Sequence, residues 1–344
     1  MEIGRNFMRN KIIRFLTVCF VTILVIFLVI TNLSKPRILV LHSYSLNFSW
    51  TRDINVGIQR ILKHKPYSIR WHYMDTKRNP STEYKEKAGK IAINAIEQWN
   101  PNIIIAVDDN AQKFVAVHFK NKKSTNIVFT GVNAAAKAYG YDNAKNVTGI
   151  LERIPFQEFR EIFVQILPKN KRRIVHISDA SVTSQLIHDE LTDVQWRPLK
   201  LVQSFQCETF EEWKKVINKA HKLGDILLVT HYHTLQDKNG RTVNPKVVME
   251  WTAKRLKIPD IGCWGFFVED GGMMSVAVSP YEQGEEAAKM AVQIIEEKIP
   301  PHKIDIKVNN LYVVYMRGSS LKEKNITLPK MLEAFAKATN TYYE

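Results

Sequence analysis

The stretch ILVLHSYSLNFSW, residues 38–50, begins as an apolar run and continues with polar and aromatic residues. The run from Ile38 to Leu41 is typical of a strand that is covered on both faces, as in a parallel sheet. In open parallel sheets, ligands bind in the crevice outside the carboxyl ends of the strands. The serines and the Tyr, Phe and Trp that follow this run therefore raise a question of binding before one of catalysis.

Composition predicts an ordinary globular protein with about two domains. The chain has 344 residues, of which 45% are hydrophobic and 24% charged, and a domain typically takes roughly 100–200 residues. Of the three cysteines, Cys19 lies in the N-terminal apolar run, so only Cys207 and Cys263 could form a disulfide. A bridge between them is possible in an oxidising compartment, but two buried, unpaired side chains are the favoured interpretation.

The N-terminus predicts a membrane anchor. The run from Phe15 to Ser34 has no charged residue and has about the 20 residues that a helix needs to cross a bilayer. Its basic flank should stay in the cytoplasm; it consists of Arg5, Arg9, Lys11 and Arg14. A cleaved signal peptide would have a shorter apolar region and a small-residue cleavage site, for which Val29-Ile30-Thr31 is a poor match. We therefore expect a cytoplasmic stub (1–14), an uncleaved transmembrane helix (15–34) and an extracytoplasmic remainder.

The net charge is +15, from 49 Lys and Arg against 34 Asp and Glu. A basic balance can indicate nucleic acid or an anionic surface as partner. The basic residues are scattered, however, and the densest group, at 169–173, precedes a predicted strand as a short turn. Because the chain is expected to be exported, we predict no nucleic-acid partner and instead an attraction to lipid headgroups or a cell-wall polyanion.

From Arg37 onward, short apolar runs alternate with amphipathic stretches of helix length. This alternation predicts an α/β fold with parallel sheets. The predicted strands are 37–42, 68–73, 103–107, 126–130, 172–177, 199–205, 225–230 and 259–263. These strands could close one barrel or form two open sheets. Two lobes are favoured by the break at 134–146, and by the strand, long helix and two short strands predicted over 273–278, 280–298 and 304–316.

Four motifs carry a resemblance to a known family: ILVLHSYSLNFSWTRDINVGIQRIL, IIIAVDDNAQKF, IVFTGVN followed by NVTGI, and VSPYEQGEEAAKMAVQII. Through them, residues 36–318 resemble the substrate-binding proteins of ABC transporters, in the type I periplasmic-binding group that includes tryptophan- and tyrosine-type binding proteins and related extracytoplasmic sensor domains. The resemblance implies two Rossmann-like lobes, joined by a three-stranded hinge, that close on a small ligand. The expected boundaries are 36–148 with 265–302 for lobe I, 149–264 with 303–320 for lobe II, and 321–344 for a helical tail.

Residues just after the predicted strands should face the cleft between the lobes. We expect these ligand contacts in lobe I: Ser43, Tyr44, Trp50, Asp108, Asp109, Asn110, Gly131 and Asn133. In the second lobe the candidates are Ser178, Asp179, His231, Tyr232, Trp264 and Phe266. Alternatives remain open for several of them. Trp50 could cap the core of the first lobe, and a residue among Asp108–Asn110 could cap the next helix. Gly131 could serve by adopting a positive φ.

The sequence does not indicate catalysis or a cofactor. His231 and His233 could share a metal ion, but no third ligand is evident, so no metal site is predicted. Dinucleotide, phosphate-loop, serine-elbow and zinc-protease motifs are missing. We therefore predict a membrane-anchored solute-binding protein, not an enzyme, that delivers an amino acid, peptide or other small solute to a permease. The alternative is a sensor that signals to a membrane partner, and an anchored cell-wall hydrolase is a remote third.

Overall fold

The computed structural model describes the backbone of residues 2–344 and the side chains of residues 11, 13–32 and 34–344. The side chains of Arg5 and Arg9, which belong to the predicted basic flank, therefore lie outside the described residues. The chain begins with helix α1, Glu2–Leu33. Within it, Ile13–Asn32 is a 20-residue stretch with a mean hydropathy of 2.8 and no buried residue, and is long and apolar enough to cross a membrane.

Two β-sheets follow, one parallel and one mixed. The first sheet contains β1 Arg37–His42, β2 Ser68–Tyr73, β3 Ile103–Val107, β4 Asn126–Val132, β5 Val147–Leu151 and β11 Lys307–Val308. Its order is β11-β5-β4-β3-β1-β2, and every neighbouring pair is parallel. All residues of β3 are buried, because helices cover both faces of the sheet, and this explains the uninterrupted apolar run.

The second sheet contains β6 Arg173–Asp179, β7 Lys200–Cys207, β8 Ile226–Val229, β9 Asp260–Gly262, β10 Met274–Val278, β12 Tyr312–Arg317 and β13 Tyr342–Tyr343. Its order is β13-β12-β10-β9-β8-β6-β7. Strand β12 runs antiparallel to β10, whereas the other neighbours are parallel. The predicted architecture of two open α/β sheets is confirmed, and the barrel alternative is wrong.

The helices connect the strands and cover the sheets. They are α2 Ser49–Leu62, α3 Thr82–Trp99, α4 Asp108–Phe114, α5 Phe156–Ile166, α6 Val182–Thr192, α7 Phe210–Leu223, α8 Pro245–Ala253, α9 Gly265–Glu269, α10 Pro280–Glu296, α11 Gly318–Glu323 and α12 Lys330–Ala338. Helix α10 packs closely on α2. A Cβ on Gly57 would lie 2.3 Å from the Tyr281 carbonyl oxygen, and one on Gly284 would lie 2.2 Å from that of Ile54, so glycine is required at this crossing.

Three of the expected lobe and tail assignments disagree with the strand pairing in the sheets. Strand β10 pairs with β9 and β12 in the second sheet, although the expected boundary places it in lobe I. Strand β11 pairs with β5 in the first sheet, although 303–320 is expected in lobe II. The expected helical tail ends as strand β13 beside β12. In each case strand pairing decides membership, and no apolar pattern in so short a segment reveals its partner.

The chain crosses between the sheets after β5, after β10 and between β11 and β12, and side chains tie these crossings together. The Asn309 amide oxygen accepts from the Arg153 N–H at 2.6 Å, and its NH₂ donates to the Arg153 carbonyl at 3.1 Å. The Glu282 carboxylate accepts from the backbone N–H groups of Asn310 and Leu311 at 3.1 and 3.0 Å. The three crossings therefore form one connected hinge.

Cys207 and Cys263 are buried and unpaired. The expectation of two buried thiols is confirmed.

Candidate functional site

The carboxyl ends of strands from both sheets face one small, partly open cavity. Its first wall comes from the first sheet and its loops, and its second wall from the second sheet. The lining residues are Tyr44, Phe48, Trp50, Lys77, Asp108, Asn133, Glu152, Thr183, His231, Trp264 and Phe266. The cavity volume is about 10 Å³, close to the space that one water molecule needs. The two lobes are thus closed around this cavity, and side chains take up most of its space.

Asp108 presents an unsatisfied carboxylate oxygen at this cavity. It follows β3 with a left-handed φ of 65°, and its Oδ1 accepts from Trp50 Nε1 at 2.9 Å. Its other oxygen, Oδ2, is buried and has no hydrogen-bond partner among the described residues. Burial, followed by the nearby Glu152 carboxylate, raises the pKa of Asp108 well above its usual value. The side chain can therefore accept from a buried donor, and a cation would favour its ionised form.

Glu152 is a second buried carboxyl group, at the end of β5. Its Oε1 accepts from Trp264 Nε1 at 2.8 Å, and its Oε2 accepts from Asn133 Nδ2 at 3.2 Å. Burial is the main reason that the pKa of Glu152 rises to about 8, with the Asp109 charge adding to the shift and the two hydrogen bonds opposing it. Since Trp264 belongs to the second lobe, this contact also connects the two cavity walls.

Asp109 holds the wall in place and does not line the cavity. Its Oδ2 accepts from the Asn133 N–H at 3.1 Å, and its Oδ1 accepts from the Ala134 N–H at 3.1 Å and the Tyr139 hydroxyl at 2.7 Å. These contacts fix Asn133, whose own Oδ1 is buried without a partner among the described residues. Two acceptor oxygens, on Asp108 and Asn133, thus remain free in this wall.

Aromatic rings enclose the remaining sides. Phe48, from the first lobe, lies 5.2 Å from Phe266 and 5.1 Å from His233 of the second lobe, measured between ring centroids. Trp264 stacks on Phe266 at 5.7 Å with an interplanar angle of 6°. His231 lies 4.2 Å from Trp264. Such faces provide apolar area and attract cations.

Lys77 is the cation among the lining side chains. It is 8% exposed, and its Nζ lies 4.8 Å from the ring centroid of Tyr44 and 5.8 Å from that of Phe48. Burial lowers the pKa of Lys77, and the carboxylates of Asp179 and Asp108, among others, oppose that shift. Its Nζ forms no hydrogen bond or ion pair with the residues that the structure describes.

Several predicted site residues lie outside the lining. The Ser43 hydroxyl donates to the Val107 carbonyl at 2.7 Å and accepts from the Ala111 N–H at 2.8 Å, so Ser43, and not a residue of Asp108–Asn110, satisfies a backbone amide at the start of α4. Asn110 donates to the Thr76 hydroxyl at 3.0 Å. Gly131 has the anticipated positive φ, 65°.

In the second lobe, the predicted Ser178, Asp179 and Tyr232 are also buried away from the lining. Tyr232 donates its hydroxyl to Asp270 at 2.7 Å. Asp179 accepts from the Ser184 hydroxyl at 2.5 Å and from the Thr234 N–H at 3.0 Å, although its charge still acts on Lys77. Their position at strand ends was predicted correctly, but their side chains turn into the lobe.

Sequence reasoning missed four lining residues: Phe48, Lys77, Glu152 and Thr183. Glu152 directly follows β5 and had the same signal as the predicted residues at other strand ends. Lys77 comes from the loop after β2, which is bent by Asp75 with a φ of 57°, and no periodic pattern points to it. Thr183 contacts the Tyr44 hydroxyl from the start of α6.

The cavity combines buried acceptors with aromatic walls, which is the chemistry of a binding site for a small molecule with a donor group. In the part of the chain that the structure describes, no group of three or more His, Cys, Asp or Glu residues is arranged to hold a metal ion. Two hinged α/β lobes that close on such a cavity define a bilobal ligand-binding protein of the type I periplasmic-binding fold.

Comparisons with known proteins agree with this class. The family model for the ABC transporter substrate binding protein matches residues 50–340, and the chain belongs to that family. A conserved domain protein from Vibrio cholerae has 17% identity and a TM-score of 0.70, over 90% of this chain and 100% of that one. A Streptococcus pneumoniae ABC domain in complex with L-Trp has 18% identity and a TM-score of 0.68, over 88% and 98%.

A ligand-free, open substrate binding protein from Clostridium difficile has 16% identity and a TM-score of 0.61, over 86% of this chain and 96% of that one. At these identities the likeness shows the fold. None of the curated proteins matches the sequence.

Proposed function

We propose that the protein captures a small solute with a protonated amine and an apolar, ring-sized body, and presents it to the permease of an ABC transporter. The observation that carries this proposal is that the Oδ2 of Asp108 and the Oδ1 of Asn133 are buried without a hydrogen-bond partner among the described residues, and that both residues line the same cavity. Buried acceptors cost free energy unless a donor reaches them. An ammonium group supplies up to three donors and the counter-charge that Asp108 needs.

The walls support the same ligand class. Tyr44, Trp50, Trp264 and Phe266 line the cavity, and aromatic faces attract an organic cation as well as an apolar ring. The Streptococcus pneumoniae relative, with its bound L-Trp, makes an aromatic amino acid one candidate. Since the cavity of about 10 Å³ holds no such molecule, binding requires the lobes to open and close again, which couples capture to a shape that a permease can recognise.

Binding without turnover is the expected activity. We propose to titrate the full chain by calorimetry with tryptamine, L-tryptophan, L-tyrosine and indole-3-acetate. The amines should bind at one per chain and be recovered unchanged after hours. A ligand at a hundred times its Kd should add about 2.7 kcal/mol to the free energy of unfolding. Binding of indole-3-acetate alone would refute the amine class, and turnover of any probe would refute the binding role.

We also propose that α1 stays in the membrane as an uncleaved anchor, with the lobes outside the cytoplasm. The support is the apolar stretch Ile13–Asn32. Protease added to intact spheroplasts should remove everything after about Lys35 and leave the N-terminal peptide in the membrane, where mass spectrometry can detect it. A soluble protein that starts near Asn32 would show that the segment is a signal peptide instead.

A further inference from the structure

Lys77 occupies the cavity without being held there. The residue before it is fixed, because the Thr76 N–H and hydroxyl both donate to the Ser43 carbonyl, at 2.9 and 2.7 Å. The Lys77 backbone therefore cannot move far, while the four-carbon side chain has only aromatic contacts at its ammonium group. Such a stem changes rotamer at low cost.

Most of the polar lining side chains are held by partners. Trp50 donates to Asp108, and Trp264 and Asn133 donate to Glu152. Because the cavity has a volume of about 10 Å³, the lobes can close to this extent over a ligand only where a lining side chain gives way. Among the described residues, Lys77 and His231 are polar lining groups whose side chains form no hydrogen bond. His231 is held by its ring contact with Trp264, at 4.2 Å between centroids, whereas Lys77 has a long, flexible side chain.

A space that can receive Lys77 lies next to the cavity. A second cavity of about 460 Å³ shares Phe48 and Lys77 with the first. Its lining includes Phe48, Lys77 and His233, with further residues from both lobes: Ser45, Asn47, Arg78, Thr242, Val243, Asn244 and Pro245. Lys77 thus borders both cavities, and a rotation about its side-chain bonds moves the ammonium from one toward the other.

Charge balance sets what can replace it. The carboxylates of Asp179, Asp108, Glu152 and Asp109 all act on the Lys77 ammonium. If Lys77 leaves and a neutral or anionic molecule enters, those of these buried groups that are ionised lose a counter-charge, which is unfavourable. Only a ligand that brings its own positive charge restores the balance.

We propose that the Lys77 ammonium takes the place of the ligand's cation. It occupies the cation position over Tyr44 when the lobes close without ligand, and it rotates into the second cavity when a protonated amine binds. Lys77 thereby determines specificity, because it allows closure without ligand and selects against neutral and anionic solutes. The inference rests on the proposed amine-binding role of the cavity. The opposing hypothesis is that Lys77 stays in place and binds a carboxylate of the ligand.

The first test needs no ligand. Spin labels are attached at Glu86→Cys in the first lobe and Asn239→Cys in the second, in a Cys19→Ser background. Pulsed electron paramagnetic resonance on the full chain in nanodiscs then measures the distance between the lobes. Lys77→Met should shift the population from closed to open, because the buried carboxylates lose a counter-charge. Lys77→Arg should stay closed because it keeps the charge, as should Lys90→Met, which removes an exposed charge from the same lobe. A Lys77→Met protein as closed as the unsubstituted one overturns the proposal.

The second test separates the two hypotheses. With the internal competitor removed, Lys77→Met should bind tryptamine about tenfold more tightly, and L-tryptophan no more weakly than before. A loss of L-tryptophan binding with unchanged tryptamine binding would show that Lys77 binds the carboxylate of the ligand, and would overturn the proposal that it takes the place of the ligand's cation. If neither probe binds any variant, the proposed ligand class fails, while the interlobe distances still decide whether Lys77 supports closure of the empty protein.

Discussion

Replacing Asp108 by Asn removes the carboxyl group whose ionised form a bound ammonium would favour, and changes little else. Asn adopts the left-handed conformation as readily as Asp does, which matters because Asp108 has a φ of 65°. The amide oxygen can still accept from Trp50 Nε1, which now donates to Oδ1 at 2.9 Å. The substitution therefore tests the charge of the side chain with its shape conserved.

The expected loss of affinity follows from the burial of Asp108, which is 3% exposed. A hydrogen bond to a charged group contributes about 1.5–3 kcal/mol, and an ion left unpaired in the interior costs about 3–5 kcal/mol. A loss of about 2–4 kcal/mol corresponds to a Kd for tryptamine that is about 30- to 1,000-fold higher. Isothermal calorimetry on the full chain measures this directly.

The free energy of unfolding of the Asp108→Asn protein, unlike its affinity, should not fall. Because burial raises the pKa of Asp108, ionising this group costs free energy in the ligand-free protein, and the neutral amide should leave the denaturant midpoint at neutral pH unchanged or raise it. The matched control is Asp75→Asn, another left-handed Asp, whose carboxylate pairs with the exposed Arg78 at 2.6 Å. Unchanged affinity in the Asp108 variant, or an equal loss in the Asp75 variant, would refute the role assigned to this carboxylate.

Three further outcomes are expected. Burial raises the pKa of Glu152 from 4.5 to about 8, so the folded ligand-free protein holds a proton that the unfolded chain releases; the free energy of unfolding should fall as pH rises between these values, and Glu152→Gln should reduce that slope in denaturation curves. A slope that is equally steep in the variant contradicts this origin. Trp264→Phe removes the 2.8 Å donor to Glu152 and should weaken tryptamine binding by about 1–3 kcal/mol in calorimetry; full affinity would exclude a role in closure. Asn309→Ala should lower the affinity for tryptamine by about 1–2 kcal/mol, because two hinge hydrogen bonds to Arg153 are lost far from the ligand. The distribution of interlobe distances should become broader as well, and an unchanged distribution would refute this explanation.

The strands were predictable because burial on both faces requires apolar side chains along their whole length. Ile103–Val107 is fully buried and appears in the sequence as an unbroken apolar run. Very short strands have no such pattern. Lys307–Val308 and Tyr342–Tyr343 are fixed by pairing with β5 and β12, which depends on contacts between distant parts of the chain.

The candidate site was predictable in its location but not in its side-chain directions. The ends of β1 and β3 do bring Tyr44, Trp50 and Asp108 to the cavity. The sequence cannot show that Ser43, next to Tyr44, turns inward to the Val107 carbonyl, because successive residues after a strand point to different sides. Lys77 was missed because its direction results from a bent loop and from the hydrogen bonds that the preceding residue, Thr76, donates to Ser43. Both are known only from the structure.

The short connection between α1 and β1 limits where the protein can act. Only Ser34, Lys35 and Pro36 separate Leu33 from Arg37, and a chain of this length spans roughly 15 Å at most. If α1 stays in the bilayer, as we propose, this connection keeps the first lobe beside the membrane surface. Diffusion in two dimensions would then hold the protein near a membrane partner at a high effective concentration. A weak docking contact would suffice for delivery under that proposal, and solute would be collected from the thin layer of fluid next to the membrane.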